Sequence, residues 1–450
     1  MFERPRSGER AVLVRLGLGA PLDPEDLNEF TQLATSAGAI PVVSITGRRD
    51  RPDPRFFVGS GKAEEIRLEA EAQQADVILV DHPLSPSQER NLEKLTGRRV
   101  LDRSGLILDI FAQRAKSHEG KLEVELAQLK HIASRLVRGW THLERQRGGG
   151  IGLRGPGETQ LETDRRLLGK RVSVLTERLQ KIKQQRETGR GARVSIPIPS
   201  VALVGYTNAG KSTLFRSLTG ENAYVADQLF ATLDPTVRRL RLPGGTPVVV
   251  ADTVGFIRDL PHELVAAFQS TLTEAREANL LLHVIDASDP RRAEHIEEVE
   301  RVLDHIGAGE IPSIRVFNKI DRLEIEPRVD RGEDGAVESV WISAARGVGL
   351  ELLGRAVAER LQHGVQRMRL TLPLTEGAAR ARLYAAGVVL DEAPSTEGFD
   401  LLVDLPDSEV ASLGRLPGAK LVPVASDTLE FSGKTHRRQS GWRQPTLDKR

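Results

Sequence analysis

Ser200-Val201-Ala202-Leu203-Val204-Gly205-Tyr206-Thr207-Asn208-Ala209-Gly210-Lys211-Ser212-Thr213-Leu214-Phe215 is the stretch that decides the fold. Its first five residues form an apolar run with β-branched side chains, the composition of a short buried strand. Gly205 to Ser212 fit G-x-x-x-x-G-K-S, and Ser212 opens a helical pattern. A strand, a glycine-rich turn and a helix in that order make a phosphate cradle. Gly205 and Gly210 let the chain turn tightly, so that the loop of Tyr206, Thr207, Asn208 and Ala209 aims successive backbone N–H groups at phosphate oxygens. The helix N-terminus adds partial positive charge beneath the anion. Lys211 reaches the β- and γ-phosphates as a point charge, and the Ser212 hydroxyl is placed to ligate Mg²⁺.

Downstream runs complete the site. Val248-Val249-Val250-Ala251 reads as a second buried strand and ends in Asp252-Thr253-Val254-Gly255. A carboxylate at a strand's C-terminal end suits Mg²⁺ held through water, and Gly255 can offer its N–H to the γ-phosphate. Between cradle and strand lies Phe230-Ala231-Thr232-Leu233-Asp234-Pro235-Thr236. A threonine here would coordinate Mg²⁺ only while the γ-phosphate is present, which makes the segment a switch. Thr232 is the first choice and Thr236 the alternative, because spacing does not separate them. Asn318-Lys319-Ile320-Asp321 follows another strand, Ser313 to Phe317. An ionised Asp321 only accepts hydrogen bonds, which matches the N1–H and 2-amino donors of guanine and opposes the N1 lone pair of adenine. Asn318 can bond the other base edge and brace the cradle, the Lys319 stem covers the ring face, and Ser343-Ala344-Ala345 could close over the base with backbone N–H groups. GTP is the expected substrate.

Lys211, Thr232 and Gly255 are the expected catalytic residues, with Ser212 and Thr232 on the metal. Many GTPases place a water-orienting Gln after Asp-x-x-Gly. Here Phe256 stands instead and can neither donate nor accept a hydrogen bond, so slow intrinsic hydrolysis and stimulation by a partner are expected. His283, within the strand-like run Leu280 to Asp286, reads as a core residue.

The 450 residues suggest about three domains. Residues 1–112 alternate strand-like runs (Ala11 to Val14, Ile40 to Ile45, Val77 to Val80) with amphipathic segments, the pattern of a parallel α/β sheet. Gly59-Ser60-Gly61-Lys62 looks like a second cradle but lacks the full frame. A strand-to-helix turn is the reading preferred there, with a second nucleotide site left open. Leu122, Leu126, Leu129, Ala133 and Leu136 step by 4 and 3, as do Leu161, Arg165, Leu168, Val172, Leu175, Leu179 and Ile182. Two such helices predict an antiparallel hairpin over 113–193 whose tip, Gly148 to Gly157, is glycine-rich and basic. The G-x-G-x-x-G at Gly150 to Gly155 is no dinucleotide site, because a helix rather than a strand precedes it. Arg186 to Pro199 reads as a linker, 194–363 as the GTPase domain, and 364–450 as a small α+β module with a polar tail.

The net charge of +1 conceals asymmetry. Residues 135–193 hold 15 Lys/Arg against 6 Asp/Glu, and residues 434–450 hold six against one, which suits a nucleic-acid backbone. No cysteine is present, so disulfides and thiolate chemistry are excluded. No apolar run approaches the ~18 residues of a membrane span, and no signal peptide is expected.

Gly205 to Thr213, Asp227 to Thr236, Asp252 to Ile257 and Arg154-Gly155-Pro156-Gly157-Glu158-Thr159-Gln160-Leu161-Glu162-Thr163-Asp164 together resemble the HflX family of translation-factor-related GTPases. The resemblance covers roughly residues 10–365. It implies a GTPase that binds the large ribosomal subunit, and hence ribosomal RNA, and splits or rescues stalled ribosomes; a monomer with no DNA partner is expected, and the lack of cysteine fits a reducing cytoplasm. The resemblance also implies Mg²⁺ on Ser212 and Thr232. Two other classes stay open: an NTP-driven RNA remodelling enzyme with ATP at the N-terminal domain, and a GTP-regulated adaptor with no ribosomal role.

Overall fold

The computed structural model describes residues 8–19, 21–138, 156–191, 198–220, 229–230, 232–243, 247–258, 269–362, 365–386, 388–394, 398–406, 410, 413–414 and 416–424. The chain forms two compact units, Met1–His363 and Gly364–Arg450.

The first unit opens with β1 (Arg10–Leu18), α1 (Pro24–Ser36), β2 (Ile40–Arg49), α2 (Ser60–Ala72), β3 (Val77–Val80), α3 (Pro86–Thr96), β4 (Arg99–Asp102) and α4 (Arg103–Arg114). The four strands are all parallel, in the order β2-β1-β3-β4. Helices cover both faces, which is why β1 and β3 are buried almost along their length rather than on alternate residues. Leu13 and Leu79 face one core with Phe30, Leu33 and Phe111. Val12, Val14, Ile78 and Val80 face the other with Ile66 and Leu92. Local chemistry starts the helices: the Asp23 carboxylate accepts from the Glu25 N–H ahead of α1, and Ser85 and Gln88 form a capping box on α3.

α5 (His118–Arg138) and α6 (Pro156–Gly191) meet along the predicted seam. Leu122, Leu126, Leu175 and Leu179 are buried together, with Leu129, Val172 and Ile182 packed against them. Two sequence readings change here. Pro156 and Gly157, expected in the tip, begin α6; proline is favoured in the first turn, where its missing N–H has no partner to lose. Gly189 and Gly191, expected in a linker, end the same helix, because a glycine costs only ~1 kcal/mol within a run of good helix formers. At 36 residues α6 is about 54 Å long. The rest of the tip, with Arg147 and Arg154, and the linker from residue 192 to 197 lie outside the described residues.

The GTPase domain is built from β5 (Ser200–Val204), α7 (Lys211–Thr219), β6 (Thr236–Arg241), β7 (Pro247–Asp252), α8 (Gln269–Arg276), β8 (Leu280–Asp286), α9 (Arg292–His305), β9 (Ser313–Asn318), β10 (Arg328–Arg331), β11 (Val337–Trp341) and α10 (Leu350–Gln362). Seven strands run in the order β10-β11-β9-β8-β5-β7-β6, parallel except for the two edge strands. Cradle, Asp252 and Asn318 therefore all sit at the C-terminal ends of neighbouring central strands, where ligands bind in open α/β sheets. Thr236 begins edge strand β6 and pairs with Asp252.

His283 on β8 is 4% exposed, and burial, helped by Arg315 and Lys211, holds its imidazole down at about 4. The folded state resists a proton that the unfolded chain accepts near 6.5, so stability falls as pH drops from about 6.5 towards 4. We expect His283→Leu to lose on the order of 3 kcal/mol less stability across that window than the parent, measured by denaturant unfolding at pH 7 and pH 4.5. Equal losses would refute this.

The second unit comprises β12 (Val365–Leu372), α11 (Gly377–Ala386), β13 (Val389–Pro394), β14 (Phe399–Pro406) and β15 (Lys420–Pro423). Its antiparallel sheet runs β13-β14-β12-β15. Met368, Leu370, Leu372, Leu401, Val403 and Leu405 alternate onto the buried face. Among the described residues of the chain, no helix is long and apolar enough to cross a membrane.

Candidate functional site

The chain leaves β5 through Gly205 at φ 146° and enters α7 through Gly210 at φ 96°. Neither position accepts a side chain. A Cβ on Gly205 would lie 2.2 Å from the Val284 carbonyl oxygen, and one on Gly210 would lie 2.2 Å from Asn318 Nδ2. The glycines are therefore needed for close approach as well as for their dihedral angles. Lys211 is buried, and its Nζ donates to the carbonyls of Gly205 (2.9 Å) and Tyr206 (2.8 Å). An ammonium has three N–H groups, so one remains for an anion. Burial lowers the Lys211 pKa to about 8, against the pull of Asp252 and with help from Lys319, which makes it a cation in need of a counter-charge.

Three oxygens converge beside it. Ser212 Oγ lies 2.7 Å from Thr232 Oγ1, and Thr232 Oγ1 donates to Asp252 Oδ2 at 2.9 Å. Thr232, not Thr236, stands next to Ser212. Burial raises the Asp252 pKa, with Ser212, Lys211 and Thr232 opposing, and its Oδ1 is buried without a hydrogen-bond partner. A desolvated carboxylate with an unpaired oxygen beside two hydroxyls fits a hard cation that takes oxygen ligands. The described residues hold no cluster of three His, Cys, Asp or Glu, so such a cation would complete its shell with phosphate and water oxygens.

The base side is equally compact. Asn318 Nδ2 donates to the Ala209 carbonyl at 2.9 Å, and Asn318 Oδ1 accepts from the Ala344 N–H at 2.9 Å. One side chain thus fastens the cradle to the Ser343-Ala344-Ala345 loop. Lys319, at φ 65°, donates from Nζ to the Asn208 carbonyl (2.6 Å) and to Asp286 Oδ2 (2.7 Å). Asp321 Oδ1 accepts from Ser343 Oγ at 2.6 Å. Ile320 and Ala344 are buried, whereas Ala345 is exposed.

Not every expected residue joins this constellation. Thr253 is buried, and its hydroxyl donates to the Leu203 carbonyl, bracing β7 against β5. Val254, Phe230 and Leu233 are buried in the core. Asp234 directs its carboxylate to the residues ahead of α5 instead of the cradle. Ala231 lies outside the described residues, as do Asp227 and Gln228. The Gly59-Ser60-Gly61-Lys62 turn opens α2, and Arg49 Nη1 occupies the space a Cβ on Gly59 would need, while Lys62 pairs with Glu65.

Sequence reasoning missed how the second switch segment is fastened. Phe256 bridges to the cradle through its backbone: its N–H donates to the Gly205 carbonyl (3.1 Å), and its carbonyl accepts from Thr207 N–H (2.7 Å). The ring is 1% exposed, a core residue. Gly255 is wedged there, since a Cβ would meet Lys211 Nζ at 2.9 Å and Thr207 at 3.0 Å. The sequence marks Tyr206 only as loop backbone. Its hydroxyl donates to Glu29 of α1 and accepts from the Arg258 N–H at 3.0 Å, and its ring stacks on His295 with centroids 3.8 Å apart. A large aromatic inside a phosphate loop was the signal available.

With that geometry in place, comparison with known proteins decides the family. The GTPase HflX of Escherichia coli (strain K12) is 57% identical over 399 residues, covering 88% of this chain and 93% of that protein. This chain belongs to the HflX family of GTPases. The GTPase HflX of Caldanaerobacter subterraneus is 45% identical over 90% of the chain and 93% of its own length, and that of Magnetococcus marinus 42% over 93% and 96%. Three family models also match this HflX-family chain: GTP-binding GTPase N-terminal at residues 24–112, GTP-binding GTPase Middle Region at 114–193, and 50S ribosome-binding GTPase at 200–319. As an HflX GTPase the chain binds and hydrolyses GTP.

Proposed function

We propose that this HflX-family GTPase binds the large ribosomal subunit in a GTP-dependent manner and splits or rescues stalled ribosomes, acting as a monomer in the cytoplasm. The match of residues 200–319 to the model described as a 50S ribosome-binding GTPase carries this reading. The basic surplus over residues 135–193 supports it, since the end of α5 and the whole of α6 lie within that stretch. In this reading 1–112 is an N-terminal domain, 113–193 the hairpin, 194–363 the catalytic domain and 364–450 an accessory module.

Ser212 and Thr232 would hold Mg²⁺, with Asp252 accepting from its water ligands, and the ion would supply positive charge against the β- and γ-phosphoryl oxygens. Lys211 brings its remaining N–H to the same oxygens. Gly255 offers its backbone N–H to the γ-phosphate, and Asn318, Lys319, Ile320, Asp321 and the 343–345 loop fix the guanine. Phe256, locked to the cradle by its backbone and buried by its ring, orients no water. Hydrolysis by the protein alone is therefore slow, and the ribosome supplies or orders the missing group.

Sedimentation through sucrose with a non-hydrolysable GTP analogue tests this. We expect co-migration with large subunits in the analogue, loss of co-migration in GDP, and loss on deleting residues 145–160. Failure to co-migrate in any nucleotide would leave a GTP-regulated adaptor. ATP hydrolysis that survives Lys211→Ala and is lost on disrupting Gly59 to Lys62 would instead identify an RNA remodelling enzyme.

A further inference from the structure

The segment carrying Thr232 is held from outside the GTPase domain. On one side, the Leu229 N–H donates to Ser36 Oγ in the last turn of α1 at 3.0 Å, and Phe230 meets Phe111 of α4 edge-on, centroids 4.6 Å apart. On the other side stands Asp234. Its Oδ2 accepts from the backbone N–H groups of Lys116 (2.7 Å) and Ser117 (2.8 Å), and its Oδ1 accepts from Ser117 Oγ. These residues immediately precede α5, the first helix of the hairpin. The fit is close: a Cβ on Gly120, in the first turn of α5, would lie 2.4 Å from Asp234 Oδ1.

We propose that Asp234 is a positioning residue that ties Thr232 to the start of the hairpin, so that the placement of α5 and recognition of the γ-phosphate form one equilibrium. This rests on Thr232 acting as the γ-phosphate-dependent magnesium ligand. Only Leu233 separates Thr232 from Asp234, a span of at most about 7 Å, so movement of the helix start reaches the threonine with little slack. A carboxylate at a helix N-terminus is favoured by the exposed N–H groups there, and both contacts, Asp234 on α5 and Thr232 beside Ser212, are formed in the same arrangement. Whatever moves α5 on binding the hairpin then changes GTP affinity, and GTP changes hairpin binding by the same factor.

Two variants test the tie from opposite ends, with the full-length protein and no ribosomes present. Asp234→Ala removes the carboxylate. Gly120→Ala crowds it from the hairpin side, touches neither nucleotide nor metal, and by helix preference alone would firm α5. The readout is the affinity ratio between a non-hydrolysable GTP analogue and GDP in Mg²⁺, with thermal unfolding as a check on folding. We expect both variants to lower the ratio about tenfold through weaker analogue binding, with GDP affinity within about twofold of the parent. Thr232→Ala is the control and should lower the ratio at least as far. A changed ratio in Thr232→Ala beside parental ratios in both other variants would overturn the tie alone. An unchanged ratio in Thr232→Ala would overturn the magnesium role of Thr232, and the tie with it.

Discussion

Asp321→Asn is expected to weaken GTP binding by about 10³-fold and to strengthen XTP binding relative to the parent. The parent carboxylate accepts from Ser343 Oγ at 2.6 Å and leaves its other lone pairs for the two donors of guanine. Asparagine replaces one acceptor oxygen with an NH₂ donor, so one guanine donor then faces another donor. Xanthine carries a carbonyl where guanine carries its amino group, and that oxygen suits the new donor. The cost is large because the mismatched groups are desolvated and have no other partner. Equilibrium titration with GDP and XDP measures both changes. A GDP affinity within tenfold of the parent would remove Asp321 from base recognition.

Lys211→Ala is expected to reduce single-turnover GTP hydrolysis by at least about 10³-fold. The lost ammonium is buried, and in the proposed mechanism its charge is aimed where phosphoryl charge develops. Its removal also takes one of two donors from each of the Gly205 and Tyr206 carbonyls, which keep only the Phe256 and Ala209 N–H groups, so the loop is less firmly held as well as less charged. Nucleotide affinity should fall with the rate. An unfolding midpoint within a few degrees of the parent would show that the loss is local, and a rate within tenfold of the parent would exclude Lys211 from the chemistry.

The site was legible where its signals are local. Gly205 to Ser212 announce a cradle because close backbone approach demands glycine at two fixed places. Asn318 to Asp321 announce a guanine site because the motif ends a strand in the same sheet. The leucine spacing of α5 and α6 announced the hairpin seam for the same reason. What stayed hidden depends on residues far apart in the chain. Nothing near Asp234 says that its partners lie 117 and 118 positions earlier. The motif around it reads as phosphate-sensing, and only the fold shows that this aspartate turns to α5. The choice between Thr232 and Thr236 needed the fold too, because β6 claims Thr236 for an edge ladder. The ends of α6 lie further out than the sequence predicts, because proline and glycine signal breaks in sequence whereas a long helix tolerates both at its margins.

Where the N-terminal sheet faces the second switch segment, four arginines (Arg15, Arg103, Arg258, Arg291) interlock with Asp26, Glu29 and Asp81. Arg103 also donates to the Arg258 carbonyl. All three carboxylates and one pair of arginines come from the first hundred or so residues, the other pair from the catalytic half. Removing one member of such a cluster leaves a desolvated charge unmatched, a loss of several kcal/mol, on the order of 3 to 5. The two halves must therefore drift together through evolution. A chimera grafting a distant homologue's N-terminal region onto this catalytic half would need compatible residues at all seven positions before it folded as one piece.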